Sequence, residues 1–122
     1  MKILVVGGGG REHAIVWKLA QSRHKPELFC APGNGGIAKI AKCIPIKATD
    51  IGAMVDFAVK NDIDLTVVAP DDPLAMGMVD ALQAAGKRAF GPTAAAALIE
   101  ASKGFSKQLM KKYGIPTADY RI

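Results

Sequence analysis

The ten residues VVGGGGREHA, at positions 5–14, decide the fold of this chain. They join an apolar run at residues 3–6 to a charged segment with helical spacing, through four consecutive glycines. A continuous apolar, β-branched run is typical of a strand that is covered on both faces, as in parallel sheets. The strand, the glycine turn and the helix together predict the start of a βαβ unit.

Strands and helices alternate along the rest of the sequence. Further strands are predicted over residues 27–31, 43–46, 64–69 and 87–90, and helices over residues 11–22, 37–41, 51–61, 73–85, 94–101 and 105–113. This alternation predicts an α/β fold, a Rossmann-like open parallel sheet of about five strands in the order 3-2-1-4-5 with helices on both faces. The tryptophan and most methionines are expected in the core: Trp17, Met54, Met76, Met78 and Met110.

Length, charge and cysteine spacing limit the class of protein. The chain has 122 residues, which fits one compact domain, and its net charge of +5 is mild. The densest basic run, at residues 107–112, is typical of a helix face, so no nucleic-acid partner is expected. Cys30 and Cys43 lack zinc or redox spacing and are expected to be buried free thiols. No apolar segment is long enough for a signal peptide or a membrane span, so we expect a cytoplasmic protein with no membrane partner.

The region after Gly91 and Pro92 differs from the rest, because its two predicted helices are not followed by a strong strand. Residues 120–122 are expected to form an extended tail with no evident partner. We therefore expect a Rossmann-like substrate-binding domain over residues 1–92 and connecting helices over residues 93–122, in a chain cut from a longer protein. The exposed faces of these helices would be covered by the remainder of that protein, or by a crystal or homodimer contact.

Three predicted loops meet where the strand order reverses, between strands 1 and 4. They are GGGGRE at residues 7–12, PGNGG at residues 32–36 and APDDPL at residues 69–74. Open parallel sheets bind their ligands at this place, at the carboxyl ends of the strands. The sequence therefore predicts one ligand site that is formed by the three loops.

The first loop has the features of an anion site. Glycines let backbone N–H groups approach an oxyanion, the start of a helix adds partial positive charge, and Arg11 could make a forked contact with phosphate. The alternative is a tight turn without a ligand, although four glycines cost backbone entropy that a turn does not require. The dinucleotide fingerprint GxGxxG fails, because Glu12 or His13 stands where the third glycine is needed and no acidic residue follows the second strand. A Walker A sequence is also missing, so the loop suits a single phosphate better than a dinucleotide.

The other two loops offer polar groups for a sugar. Asn34 can donate and accept hydrogen bonds, although PGNGG is equally typical of an ordinary turn. Asp71 and Asp72 could accept bonds from hydroxyl groups, or one of them could cap a helix that begins at residue 73. Together the loops indicate a phosphorylated sugar or a small nucleotide. The two histidines are expected to be structural or solvated, and no catalytic group or metal site is expected.

Five stretches, GGGGREHA, APGNGG, DLTVVAPDDPL, FGPTAAAALIEASKGFSK and YGIPTADY, occur in the order and spacing of the glycinamide ribonucleotide synthetase family. The chain resembles the N-terminal, pre-ATP-grasp domain of these phosphoribosylamine–glycine ligases, with the start of the ATP-grasp region over residues 93–122. The resemblance implies that the full-length enzyme uses ATP and Mg²⁺ (or Mn²⁺) to join glycine to 5-phosphoribosylamine in de novo purine synthesis. It also implies that this chain alone is inactive and binds neither ATP nor the metal.

The resemblance implies substrate contacts on all three loops: the 5-phosphate on Gly9, Gly10 and Arg11, the phosphoribosyl pocket on Asn34, and the ribose hydroxyls on Asp71. Lys103 resembles the lysine that reaches the ATP phosphates, with a solvated lysine at a helix start as the alternative. The family usually has Gly-Pro-Glu where this chain has Ala-Pro-Asp at residues 69–71, so Asp72 could share the ribose contact.

Two further functions stay open on the residues alone. One is a dinucleotide-binding module of an oxidoreductase, which the missing third glycine disfavours. The other is a stand-alone nucleotide-sensing domain, which would explain why the sequence shows no catalytic grouping.

Overall fold

The observed elements follow the predicted alternation of strands and helices. The computed structural model describes residues 1–121. Its strands are Lys2–Gly7 (β1), Glu27–Pro32 (β2), Lys42–Cys43 (β3), Leu65–Val68 (β4) and Ala89–Phe90 (β5). Its helices are Gly10–Ala20 (α1), Ile51–Lys60 (α2), Asp71–Ala75 (α3), Met78–Ala84 (α4), Ala94–Ala101 (α5) and Lys103–Lys112 (α6), with a 3-10 turn at Ile37–Lys39. Across residues 1–121, no helix has both the length and the apolar character that a membrane crossing needs.

The strands form one parallel sheet in the order β3-β2-β1-β4-β5. The central strand β1 places Val6 beside Ala31 of β2 on one side and beside Val68 of β4 on the other. The predicted fold class and strand order are therefore confirmed. Because the order reverses next to β1, the carboxyl ends of β1, β2 and β4 lie together at one edge of the sheet.

Helices cover both faces of the sheet, because β1 alternates its apolar side chains between them. On the face covered by α1, the buried side chains are Ile3, Val5, Val16, Leu28, Cys30, Ile37 and Val67. On the face covered by α2 and α4, they include Leu4, Val6, Met54, Met78, Val79 and Leu82. Burying each large aliphatic side chain contributes roughly 1.5–3 kcal/mol, so two cores fix the position of the edge at which β1, β2 and β4 end.

Several element boundaries differ from the prediction, among them those of β3 and of the helix predicted over residues 73–85. Strand β3 covers only Lys42–Cys43 instead of residues 43–46, because Pro45 has no N–H group to donate to a sheet ladder. The helix predicted over residues 73–85 is two helices, α3 and α4. They are separated by Gly77, whose φ of +89° breaks the helical path.

Two side chains that the sequence places in the core are exposed. Trp17 keeps 58% of its surface accessible, because it lies one residue beyond the buried Val16 and points about 100° away around α1. Met76 is 56% exposed, because it follows the last residue of α3 at the turn into α4.

The prediction of two buried thiols is half wrong, since Cys30 is fully buried on β2 whereas Cys43 is half-buried on the edge strand β3.

Helix α5 is attached to the sheet domain, whereas α6 contributes little to its core. Asp80 of α4 accepts a hydrogen bond from the Ala94 N–H at 2.8 Å, and Ala97 packs into the core cluster of α2 and α4. No residue of α6 is buried, and Met110, expected in the core, is only half-buried. The firmly packed part of the chain therefore ends within α5.

The buried thiol of Cys30 makes the stability of the chain depend on pH. Burial raises the pKa of Cys30 from 9.0 to about 12, and the nearby Cys43 and Glu12 add to the effect. The native chain therefore keeps a proton that the unfolded chain loses, so stability falls as the pH rises from about 9 towards about 12.

We expect the free energy of unfolding of the wild type to fall by roughly 2 kcal/mol more than that of Cys30→Ala between about pH 8 and about pH 10.5. Urea unfolding under reducing conditions, followed by circular dichroism at both pH values, measures this difference. The substitution removes the titrating group, so its lower absolute stability does not enter the comparison. Parallel pH profiles for the two chains would contradict the raised pKa.

Candidate functional site

Two glycine-rich loops and the start of α3 lie at the edge of the sheet where β1, β2 and β4 end. This edge is called the ligand edge below. The first glycine loop, residues 7–10, joins β1 to α1, and the second glycine loop, residues 33–36, follows β2. Because β1 lies between β2 and β4, these loops and the N-terminus of α3 lie where the strand order reverses. The structure therefore brings the three predicted loops to one edge of the sheet.

The two glycine loops are in direct contact. The Gly33 N–H donates to the Gly7 carbonyl at 3.0 Å, which continues the pairing of β1 and β2 beyond the strands. A Cβ atom added to Gly8 would lie 2.6 Å from the Gly33 carbonyl oxygen, closer than real Cβ atoms approach. Part of the glycine content is therefore needed for one loop to approach the other, before any ligand is considered.

Asn34 uses both ends of its side-chain amide within the protein. Its Nδ2 donates to the Gly8 carbonyl at 2.9 Å, and its Oδ1 accepts from the Ile37 N–H at 2.9 Å. Each end keeps one further hydrogen-bonding position, a second N–H and a second lone pair. Asn34 thus holds the two loops together, and its contact with a ribose stays a prediction.

Glu12 is the residue whose position the sequence did not foresee. Its side chain is 4% exposed and lies inside the first glycine loop, where Oε2 accepts from the Gly9 N–H at 2.9 Å and Oε1 accepts from Arg11 Nε at 3.2 Å. A Cβ atom added to Gly7 would lie 2.6 Å from the Glu12 Cγ. The signal that could have predicted this is the spacing of Gly9 and Glu12, since a glutamate three residues after an N-cap often accepts the N-cap N–H.

Gly10 and Arg11 form the open part of the first glycine loop. A Cβ atom added to Gly10 would meet no atom within 4 Å, so a ligand has room there. The Arg11 side chain is 57% exposed, and within residues 1–121 it is held only at Nε, which leaves its terminal nitrogens for a forked contact. The N–H groups of both residues lack intrahelical acceptors, as at every helix start, whereas the Gly9 N–H is engaged by Glu12.

His13 packs α1 against the second glycine loop. A Cβ atom added to Gly36 would lie 2.5 Å from the His13 Cε1, so Gly36 makes room for the imidazole ring. Gly35, by contrast, has no atom within 4 Å of an added Cβ. Gly10 and Gly35, one on each loop, are thus the glycines of this edge that contacts within the protein do not explain.

Asp71 and Asp72 lie in the first turn of α3 and not in a loop. Helix α3 begins at Asp71 with Pro70 as its N-cap, so the expectation that one carboxylate caps a helix at residue 73 is wrong. Both residues are exposed, just beyond the carboxyl end of β4. Within residues 1–121, neither carboxylate accepts a hydrogen bond from a glycine loop, so a ribose contact of Asp71 is supported by its position alone.

Lys103 lies on a different element, at the first position of α6, and is exposed. It borders a shallow hollow whose other lining residues belong to α5 and α6. A second hollow, of about 690 Å³, is lined by Lys111 and residues 115–120. Neither hollow includes a residue of the glycine loops.

Comparison with known proteins identifies one family. The family model described as "Phosphoribosylglycinamide synthetase, N domain" matches residues 1–100. The phosphoribosylamine–glycine ligase of Caldanaerobacter subterraneus subsp. tengcongensis is 51% identical over 121 residues, and that of Escherichia coli O157:H7 is 50% identical over 123 residues. Each match covers 99% of this chain but 29% of the relative, so the chain spans less than a third of the length of these curated relatives.

Solved structures share the fold. The crystal structure of phosphoribosylamine–glycine ligase from Thermotoga maritima matches with a TM-score of 0.71 at 28% identity, covering 99% of this chain and 27% of that chain. The biotin carboxylase domain of a thermophilic 2-oxoglutarate carboxylase matches with a TM-score of 0.73 at 17% identity, covering 95% of this chain and 28% of that chain. The second likeness concerns the fold alone.

Proposed function

The chain belongs to the phosphoribosylglycinamide synthetase N-domain family, and from that premise we propose that it binds the phosphoribosyl group of 5-phosphoribosylamine in a phosphoribosylamine–glycine ligase. In the proposed reaction, glycine is joined to the amine of 5-phosphoribosylamine at the expense of ATP, giving glycinamide ribonucleotide for purine synthesis. The curated relatives with this name match nearly the whole chain at 51% and 50% identity, which supports the proposal.

The observation that carries the proposed substrate is the open start of α1. Gly10 has free space around it, and Arg11 presents its guanidinium beside N–H groups that lack acceptors. A single phosphate fits this arrangement, because the helix start attracts negative charge and an arginine can bind two phosphate oxygens at once. Asn34 and Asp71, on the neighbouring loop and helix, are the residues that we propose for the ribose.

The ligase reaction also requires a site for its metal and its nucleotide. Within residues 1–121, no group of three or more His, Cys, Asp or Glu side chains could hold a metal ion. Lys103 is exposed at the start of α6. We therefore assign ATP and its Mg²⁺ or Mn²⁺ to the ATP-grasp part of a full-length ligase. This chain binds and orients the phosphoribosylamine and does not carry out ligation alone.

The same proposal divides the chain at residue 92. Residues 1–92 form the substrate-binding domain, and residues 93–122 lead into the ATP-grasp region. Support comes from the exposed apolar side chains of the second part, among them Phe105, Tyr113 and Ile115, which would pack against the remainder of the ligase chain. A cytoplasmic location belongs to this proposal, and the free thiols of Cys30 and Cys43 suit a reducing compartment.

A dinucleotide-binding function is disfavoured by the observed packing of Glu12. The third glycine of the dinucleotide fingerprint allows close contact between helix and strand. Here the Glu12 side chain occupies that space, with its Cγ 2.6 Å from where a Gly7 Cβ would be. Strand β2 also ends in Ala31 and Pro32, so no carboxylate stands there to bind a ribose hydroxyl of NAD.

Substitution of Arg11 tests the proposed phosphate contact. We expect Arg11→Ala to weaken the binding of ribose 5-phosphate about 10- to 100-fold, the loss expected for a charge-assisted hydrogen bond. The variant should keep its fold but lose some thermal stability, because the buried Glu12 carboxylate loses the partner of its Oε1. Titration calorimetry of the chain with ribose 5-phosphate and with NADH measures the effect. Arg23→Ala is the matched control, because Arg23 is an exposed arginine beyond the opposite end of α1. Unchanged affinity in Arg11→Ala, or tighter binding of NADH than of ribose 5-phosphate by the wild type, would contradict the proposal.

Substitution of Gly10 tests where the phosphate lies. Since Gly10 occupies the first helical position with open space around it, Gly10→Ala should keep or raise stability, by up to about 1 kcal/mol. The added methyl group should nevertheless lower the affinity for ribose 5-phosphate about tenfold, because it fills the approach to the N–H groups. Gly52→Ala is the matched control, since Gly52 lies in the first turn of α2 and also has no neighbour within 4 Å. Equal affinities in the two variants would place the ligand elsewhere.

A further inference from the structure

We propose that Glu12 is a positioning residue, whose buried carboxylate fixes the Arg11 guanidinium and the first glycine loop in the arrangement that receives a phosphate. This inference rests on the proposed function for the phosphate, and it adds a residue that does not itself contact the ligand. Its basis is the juxtaposition of Glu12 with two groups of the loop, Gly9 N–H and Arg11 Nε.

The buried carboxylate of Glu12 has both of its hydrogen-bond partners at the start of α1. A carboxylate in a protein interior is costly unless its oxygens are hydrogen-bonded or paired with a positive charge. Both oxygens of Glu12 are satisfied, and both partners belong to the candidate site: Oε2 accepts from Gly9 at 2.9 Å and Oε1 from Arg11 at 3.2 Å. The buried charge is thus matched to the geometry of the loop that carries the site.

Glu12 acts through Arg11 because it cannot act directly. At 4% exposure its carboxylate does not reach a ligand in solution, whereas the Arg11 side chain is 57% exposed. An arginine that is held at Nε has fewer conformations to lose when it binds an anion, and its two terminal nitrogens stay free for phosphate oxygens. The bond from Gly9 likewise orders the loop before the ligand arrives.

A double-mutant cycle separates this role from a general structural one. Glu12→Gln keeps an oxygen for the Gly9 N–H but turns an amide donor towards the Arg11 Nε donor, which removes the anchor of the guanidinium. The cycle comprises the wild type, Glu12→Gln, Arg11→Ala and the double variant, each titrated calorimetrically with ribose 5-phosphate. Glu100→Gln, an exposed glutamate on α5, is the matched control.

We expect Glu12→Gln to weaken ribose 5-phosphate binding about fivefold when Arg11 is present and to change it by less than about twofold when Arg11 is alanine. Equal weakening in both backgrounds would overturn the proposal, since it would show a structural role that is independent of Arg11. Tighter binding in both backgrounds would also overturn it, because Glu12 would then act only by repelling the phosphate.

A measurement without ligand keeps the inference distinct from the proposed function. Nitrogen-15 relaxation of the Arg11 Nε–H group should report an ordered side chain in the wild type and a mobile one in Glu12→Gln. Equal mobility in the two chains would refute the positioning role. Failure of the wild type to bind ribose 5-phosphate, with this difference in mobility intact, would instead refute the proposed ligand.

A second variant changes Arg11 instead of Glu12, and it tests the same interaction if Glu12→Gln does not fold. Lysine has one ammonium group and no separate Nε–H beside a forked pair of nitrogens. It therefore cannot donate a hydrogen bond to Glu12 and bind two phosphate oxygens at the same time. We expect Arg11→Lys to bind ribose 5-phosphate nearly as weakly as Arg11→Ala, within about threefold. A lysine variant with the affinity of the wild type would overturn the proposal.

Discussion

The contact between Gly8 and the Gly33 carbonyl is the constraint on which the ligand edge depends. The two backbones approach so closely that a Cβ atom on Gly8 would stand 2.6 Å from the carbonyl oxygen. This contact can form only because β1 and β2 are neighbours in the sheet and both lead into loops without bulky side chains. Asn34 then fastens the loops through the Gly8 carbonyl and the Ile37 N–H. As a result, the start of α1 is held in a fixed place beside the second glycine loop.

The sheet could be predicted from the sequence because its signals are local and strong. The apolar run of β1, followed by glycines and a helix, predicts a parallel strand, and the alternation of elements predicts the order β3-β2-β1-β4-β5. The break at Gly77 and the exposure of Trp17 could not be predicted in this way. The first depends on one left-handed residue, and the second on how far α1 is rotated about its axis against the sheet.

The candidate site was predictable in its location and not in its internal bonds. The open surroundings of Gly10 and Arg11 agree with a site at the start of α1. The pattern of residues could not show that Asn34 makes hydrogen bonds within the loops. For Glu12 a signal was present in its spacing from Gly9, but the burial of its side chain was not predictable from that spacing. Side-chain direction is set by packing between elements, which a single sequence does not specify. The roles of Asp71 and Lys103 stay predictions, since their contacts would be made with substrates.

Taken together, these features describe a sheet edge at which the start of α1 is open and carries the exposed Arg11. Under the proposed function, the phosphate of a phosphoribosyl group binds at that edge. The most direct test is the map of backbone amide shifts when the chain is titrated with ribose 5-phosphate. The account predicts that the largest shifts fall on residues 9–12 and 33–36, and that NADH leaves these amides nearly unchanged. Shifts confined to residues 103–112, or a stronger response of the glycine loops to NADH, would contradict it.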